Sequence, residues 1–157
     1  MKNNEYDVRV VKVVDGDTVD VDIDLGFGVT LTDERVRIMG IDTPESRTRD
    51  KVEDLFGEAA KERLTQLMRY GAKLITTEDR KGEDMKGKFG RILGDFKTLG
   101  GDLITDILIQ EGHAVAYFGG NKDEVQMKHE ANRQKLLREG IIAQEDYDAA
   151  VKLMEDK

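Results

Sequence analysis

Asp15-Gly16-Asp17-Thr18 begins a segment that ends with Arg37-Ile38-Met39-Gly40-Ile41-Asp42-Thr43-Pro44-Glu45. Between these two clusters, apolar residues at positions 19, 21, 23 and 25 alternate with aspartates, a period of two that is typical of a strand with one buried face. Glycines at positions 26 and 28 then predict a turn, and the chain returns as a second strand over about residues 30–39. Each charged cluster therefore lies at a strand end. We expect the opposite face of the first strand to be solvated; it carries Asp20, Asp22 and Asp24.

Outward from this hairpin, the pattern predicts five strands in all. Apolar, β-branched runs over residues 6–14, 73–77 and 92–96 supply the other three strands. Apolar residues at helical spacing predict a helix over about residues 57–70, a second that ends at Gly112, and a third from Asn121 to about Glu139. Residues 46–54 lack periodicity, and we expect a mobile loop there. This order predicts an α+β fold, a five-stranded OB-fold barrel with three helices.

The length of 157 residues and the hydrophobic content of 38% suit one ordinary core. We assign residues 1–142 to a single domain and residues 143–157 to an acidic C-terminal tail. Apolar residues in the tail recur at helical spacing and predict one more helix, which docks on the body of the protein or associates with another chain; they are Tyr147, Ala150, Val151 and Met154.

Composition narrows the class of protein. No apolar run reaches the length of a membrane span, and the N-terminal residues lack a secretory pattern, so we expect a cytoplasmic protein without membrane contact. The absence of cysteine excludes disulfides and thiolate zinc sites. The net charge of −8 disfavours a simple nucleic-acid binder, which usually needs a basic face. We expect nucleic acid to bind only where a cation and nearby arginines focus positive potential.

The two charged clusters predict a site for a hard cation and a phosphate. The carboxylates of Asp17 and Asp42 and the backbone oxygen of Thr43 are ligands that such a cation prefers. Glu45 and Arg37 lie beside them, available for chemistry on a phosphate ester. The first cluster alone is equally typical of a tight turn, and the second alone is more typical of a strand-ending turn with exposed carboxylates. The presence of both clusters favours the site.

Three further features leave alternatives open. Lys86, Lys88 and Arg91 form a basic stretch able to contact a phosphodiester backbone. Tyr117 and the phenylalanine after it are as well suited to stacking on bases as to core packing. His113 and His129 have no partner at ligand spacing, so packing or surface roles are favoured over metal binding.

Taken together, three blocks of this sequence resemble the signature of the staphylococcal nuclease family. They are Asp15-Gly16-Asp17-Thr18, Arg37 with Ile41-Asp42-Thr43-Pro44-Glu45, and Lys88-Phe89-Gly90-Arg91. The resemblance covers about residues 6–142. It implies an OB-fold barrel and a Ca²⁺-dependent phosphodiesterase that hydrolyses DNA and/or RNA to 3'-phosphate products. An alternative is a noncatalytic OB-fold module that binds nucleic acid or another protein.

The resemblance also implies roles for individual residues. Asp17, Asp42 and Thr43 correspond to the calcium ligands. Glu45 corresponds to the general base, and Arg37 and Arg91 correspond to the pair that clamps the phosphate. Substrate contacts are implied for Lys88, Phe89 and Tyr117. Phe89 replaces a tyrosine that the family often uses, which removes one hydrogen-bond donor to the nucleotide. We expect a monomer that prefers single-stranded substrate.

Overall fold

The computed structural model describes residues 3–78, 84–86 and 90–156. The first three strands form an antiparallel meander of β1 (Asn3–Asp15), β2 (Thr18–Gly26) and β3 (Val29–Ile38). The alternation seen in the sequence explains β2, because its apolar side chains at 19, 21 and 23 are all buried.

Two later strands close this meander into a barrel. They are β5 (Ala72–Thr77) and β6 (Ile92–Thr98), which pair with each other in antiparallel fashion. β5 also pairs with β1, and β6 runs parallel to β3 with Val36 opposite Ile92. The strand order around the barrel is β1-β2-β3-β6-β5, so the predicted five-stranded OB-fold barrel is confirmed.

Two short strands outside the barrel were not predicted. β4 (Ile41–Asp42) pairs with β7 (Val115–Ala116), and Asp42 lies opposite Val115. This two-residue ladder ties the end of the first hairpin to the segment before the third helix.

Helix α1 (Lys51–Met68) begins earlier than the sequence indicated. Residues 51–54 belong to the helix, so the prediction of a loop over 46–54 was wrong for its second half. Asp50 is the N-cap, and its side chain accepts hydrogen bonds from the backbone N–H groups of Val52 and Glu53. An apolar face of α1, which includes Leu64 and Met68, packs against the core of the barrel.

The remaining helices are α2 (Ile104–Glu111), α3 (Lys122–Arg138) and α4 (Gln144–Glu155). Gly112 ends α2 in the left-handed conformation, and the Asn121 side chain caps α3 by accepting a hydrogen bond from Asp123 N–H. α4 packs on α1, where the Tyr147 ring meets the Phe56 ring edge-on at 6.1 Å between centroids. The assignment of 143–157 as a separate tail stays a prediction.

The alternation in β2 predicted that its aspartate face is solvated, but the structure differs from this prediction. Asp20 is buried at 8% exposure and accepts two hydrogen bonds from the guanidinium of Arg35, which lies opposite it on β3. Asp22 pairs with Arg9 and accepts a hydrogen bond from Asp33 N–H. The acidic face therefore serves cross-strand pairing.

Across the described ranges, every helix is too short or too polar to cross a membrane.

Candidate active site

Arg37 connects the two charged clusters. Its Nη2 lies 3.3 Å from Asp17 Oδ2 and donates a hydrogen bond of 3.0 Å to the backbone oxygen of Ile41. Its Nη1 donates to the backbone oxygen of Ile38. The end of β3 is also fixed to the first cluster because Ile38 N–H donates to Asp17 O at 2.8 Å. One guanidinium thus fixes the Asp17 turn against the start of the second cluster, and 24% of its side chain remains exposed.

The Asp15–Asp17 turn packs directly on the second cluster and on α1. A Cβ atom built on Gly16 would lie 2.8 Å from Ala60 Cβ and 3.3 Å from Thr43 Cβ. A side chain at position 16 would therefore push these elements apart, so glycine permits the close approach. Thr43 is buried, whereas the Asp42 side chain is 41% exposed.

Glu45 projects from a backbone that is fixed by α1. Its side chain is exposed, while a Cβ on Gly57 would lie 2.2 Å from the Glu45 carbonyl oxygen. Partial burial raises the pKa of Glu53, and the nearby charge of Glu45 raises it further. Glu53 lines a cavity of about 280 Å³ together with Asp42 and Thr43. Glu45 therefore lies in the neighbourhood of the two proposed ligand positions.

Arg91 lies close to the Asp15–Asp17 turn. It immediately precedes β6. Because Ile92 of β6 pairs with Val36 of β3, Arg91 lies beside β3. Together with Asp15 and Thr18 it lines a cleft of about 720 Å³. The structure thus joins Arg37 to Asp17 and packs the Asp15–Asp17 turn against Thr43. Asp42 and Glu45 adjoin Thr43 along the chain, and Arg91 lies at the flank of the same turn.

The segment that leads to Arg91 is anchored through Asp84. The carboxylate of Asp84 accepts hydrogen bonds from Asn4 (2.9 Å), Tyr6 (2.7 Å) and Thr76 (2.5 Å). Burial alone would raise the pKa of Asp84, but the hydrogen bonds from Thr76, Asn4 and Tyr6 together hold this pKa below its usual value. Burial, with the hydrogen bond to Asp84, raises the pKa of Tyr6 to about 12. Met85 then joins β5 to β6 by hydrogen bonds to Thr77 and Leu93.

The predicted substrate residues are only partly described. Lys88 and Phe89 lie outside the described residues. Tyr117 is half-buried, lines the cavity beside Asp42 and donates its backbone N–H to Gly40 O at 2.9 Å. Phe118 is 89% exposed, so it does not take part in core packing.

The contact of His129 with Asp42 was not predicted. His129 is buried, and its Nε2 lies 2.7 Å from Asp42 Oδ2. Spacing along the chain gave no signal because 87 positions separate the two residues. His113, in contrast, is buried with Nδ1 lacking a hydrogen-bond partner in the structure, and burial lowers its pKa; it follows the packing role expected for both histidines.

The donor atoms suit a hard cation. Asp17 and Asp42 offer carboxylate oxygens, and Thr43 offers a backbone oxygen. Among the residues that the structure describes, no three His, Asp or Glu side chains form a metal-binding group. A cation here would take its remaining ligands from water and substrate, as an ion held by few protein carboxylates does.

Comparison with known proteins gives a consistent picture. A family model described as Staphylococcal nuclease homologue matches residues 35–145. Thermonuclease of Staphylococcus intermedius is 32% identical over 145 residues, which cover 86% of this chain and 80% of the relative. Micrococcal nuclease of Shigella flexneri is 34% identical over 137 residues, covering 82% and 70%. Endonuclease YhcR of Bacillus subtilis (strain 168) is 29% identical over 119 residues, covering 73% of this chain but 9% of that relative.

Proposed function

Because this chain belongs to the staphylococcal nuclease family, we propose that it is a calcium-dependent, sequence-nonspecific endonuclease of DNA and/or RNA. Hydrolase activity on phosphodiester bonds follows from the family and from relatives named as nucleases. The observation that carries the finer proposal is the position of Arg37, whose guanidinium contacts Asp17 and the backbone just before Asp42.

Asp17, Asp42 and the carbonyl of Thr43 would hold the calcium ion. A bound divalent ion would offset charge on the phosphate and share the charge that grows during hydrolysis. Ca²⁺ accepts six to eight oxygen ligands in flexible geometry, which suits a site built from two carboxylates and one carbonyl.

Arg37 and Arg91 provide forked donors for the phosphate oxygens. Guanidinium groups bind phosphate in bidentate fashion, and these hydrogen bonds strengthen as negative charge accumulates on the phosphate oxygens. Arg37 is pre-organised for this because two backbone carbonyls and Asp17 already restrict its side chain. Loss of one such donor typically costs about 100- to 1000-fold in turnover.

Glu45 acts as the general base. Its exposed carboxylate accepts the proton from a water molecule as the water oxygen attacks phosphorus. The bond from phosphorus to the 5' oxygen breaks, and this oxygen takes a proton from solvent water and leaves as a 5'-hydroxyl. The phosphate remains on the 3' end of the upstream product. Exposure of Glu45 beside the cavity gives the attacking water access from solvent.

Single-stranded or locally opened nucleic acid is the preferred substrate, and the protein acts as a monomer. The acidic net charge of −8 gives little general attraction for a duplex, so binding depends on the few groups around the site. A flexible strand can bring one phosphate to these groups, whereas a stiff duplex cannot bend to them without cost.

Incubation of the protein with end-labelled single-stranded DNA, in calcium or in excess chelator, tests this proposal. We expect cleavage in calcium, products that end in 3'-phosphate, and no cleavage in chelator. Retention of intact DNA under both conditions would instead support a binding module. A protein that neither cleaves nor retains the DNA would support a protein-interaction role.

A further inference from the structure

His129 makes a buried hydrogen bond to one of the residues proposed to hold calcium. The residue is 8% exposed, and its Nε2 lies 2.7 Å from Asp42 Oδ2. The side chain of Asp42 is 41% exposed. No other side-chain hydrogen bond reaches this carboxylate among the described residues.

The chemistry of the two groups determines which of them donates the hydrogen bond between His129 and Asp42. An ionised carboxylate only accepts hydrogen bonds, so the imidazole Nε2 must carry the proton and donate it. Rotation about the terminal torsion of an aspartate is otherwise broad and costs little. The hydrogen bond therefore restricts the orientation of Asp42 and occupies Oδ2, which leaves Oδ1 for a cation.

Helix α3 holds the imidazole firmly. Asn132 Nδ2 donates to the backbone oxygen of Ala114 at 3.3 Å, and Ala114 adjoins Val115, the partner of Asp42 in the β4–β7 ladder. On the same helix, the Arg133 guanidinium lies 5.4 Å from the centre of the Phe56 ring on α1. His129 is thus a fixed donor on a helix that is tied to both sides of the site.

We propose that His129 is a positioning residue that orients the Asp42 carboxylate for calcium; the proposal rests on the calcium site of the proposed function. Ligating carboxylates are commonly held by outer hydrogen bonds of this kind, and loss of such a partner costs about 10- to 100-fold in metal affinity. His129 acts through Asp42 and contacts neither the phosphate nor the attacking water in this proposal.

Calcium titration by calorimetry, without substrate, tests the role of His129. We expect His129→Leu to weaken calcium binding by about 10- to 100-fold. His129→Gln keeps an N–H donor near the position of Nε2 and should recover a large part of that loss. His113→Leu is the matched control: it replaces the other buried histidine, which lines a different cavity with Arg63 and Glu111, and it should leave calcium affinity unchanged.

The outcomes separate this inference from the proposed function. If the wild-type protein binds no calcium, both fail. If the wild-type protein binds calcium and His129→Leu binds it equally well, only the role of His129 fails. A glutamine variant as weak as the leucine variant would also overturn a hydrogen-bonding role.

A second measurement does not depend on the folding of a variant. Nitrogen-15 spectra of the two imidazole rings in calcium-loaded wild-type protein report which ring nitrogen carries a proton. We expect a protonated Nε2 on His129, with a resonance that shifts when calcium is added. An unprotonated Nε2 at His129 would overturn the proposal.

Discussion

At the scale of single residues, Glu45 combines a fixed backbone with an exposed carboxylate. We predict that Glu45→Gln lowers single-turnover cleavage by about 100-fold or more, because a positioned general base contributes about 10² to 10⁴ in rate. Stability should change little, since the side chain is exposed. Urea denaturation measures the free energy of unfolding of the variant.

Glu58→Gln is the matched control for this substitution. Glu58 is an exposed acid on α1, so its replacement removes the same charge from a neighbouring position without touching the proposed site. Cleavage by Glu58→Gln should stay close to wild type. Equal losses in the two variants would show that general electrostatics, and not proton transfer, explains the effect of Glu45.

Sequence reasoning reached the residues of the two charged clusters but not their outer contacts. Asp17, Asp42 and Glu45 stand in short segments with recognisable turn and proline chemistry. Their convergence follows from the hairpin between them. The contact of His129 with Asp42 depends on where α3 lies in space, and nothing in local spacing reports that.

At the scale of elements, the approach of α1 to the Glu45 backbone depends on Gly57. Alanine at this position would gain about 1 kcal/mol of helix propensity. It would also place a Cβ 2.2 Å from the Glu45 oxygen, and overpacking of this kind costs about 1–3 kcal/mol. We predict a net loss of stability and of turnover for Gly57→Ala, measured by denaturation and by cleavage.

Gly100→Ala provides a comparison for Gly57→Ala. Gly100 lies in the turn after β6, and the nearest atoms to an added Cβ there are 3.8 Å away. Stability and turnover should both stay near wild type. If Gly57→Ala were equally harmless, the contact between α1 and Glu45 would not position the carboxylate.

Helix α4 supports α1 without reaching the site. Tyr147→Ala should lower the free energy of unfolding by about 1–2 kcal/mol, because its half-buried ring covers apolar surface of α1. Turnover at temperatures well below the unfolding transition should remain unchanged. Leu153→Ala, at a side chain that is 55% exposed, is the control. A large loss of turnover in folded Tyr147→Ala would assign α4 a direct role in catalysis.

The anchor at Asp84 has a pH dependence with a definite sign. The pKa of Asp84 in the folded protein is lower than its ordinary value of about 3.9. Its carboxylate therefore stabilises the fold above that ordinary value, and the stabilisation is lost as the pH falls through the lower folded-state pKa. We predict that Asp84→Asn is less stable than wild type at pH 7 and that the difference shrinks in acid. A difference that stays constant down to about pH 2 would contradict this reasoning.

The boundaries of elements show what local patterns can and cannot predict. Alternation gave β2 correctly, and Asn121 and Gly112 marked helix ends. The start of α1 was missed although Asp50 and Glu53 have the spacing of a capping pair. The ladder between β4 and β7 is too short to leave a periodic signal, and it forms only because tertiary packing brings the strands together.

At the scale of the whole molecule, the barrel brings distant segments to one place. Closure pairs β3 with β6 in parallel, and this step places Arg91 beside the turn that carries Asp17. The fold class followed from the order of strands and helices. The pairing of the buried Asp20 with Arg35 did not, because alternation alone cannot show that a charged side chain is covered by its cross-strand neighbour.

The acidic charge of the molecule limits how it engages nucleic acid. With a net charge of −8, we expect attraction to a strand to come from the arginines and the proposed cation at the site. In the proposed mechanism, Glu45 and Arg91 must therefore act on the same phosphate.

A double-mutant cycle in single-turnover cleavage tests that dependence most directly, with Glu45→Gln, Arg91→Ala and the two combined. The effects of substituting residues that act on one transition state are strongly non-additive. We therefore predict that the double variant is little less active than the less active of the two single variants. Residues at separate, independent sites contribute additively. A loss in the double variant equal to the product of the two single losses would contradict a shared site.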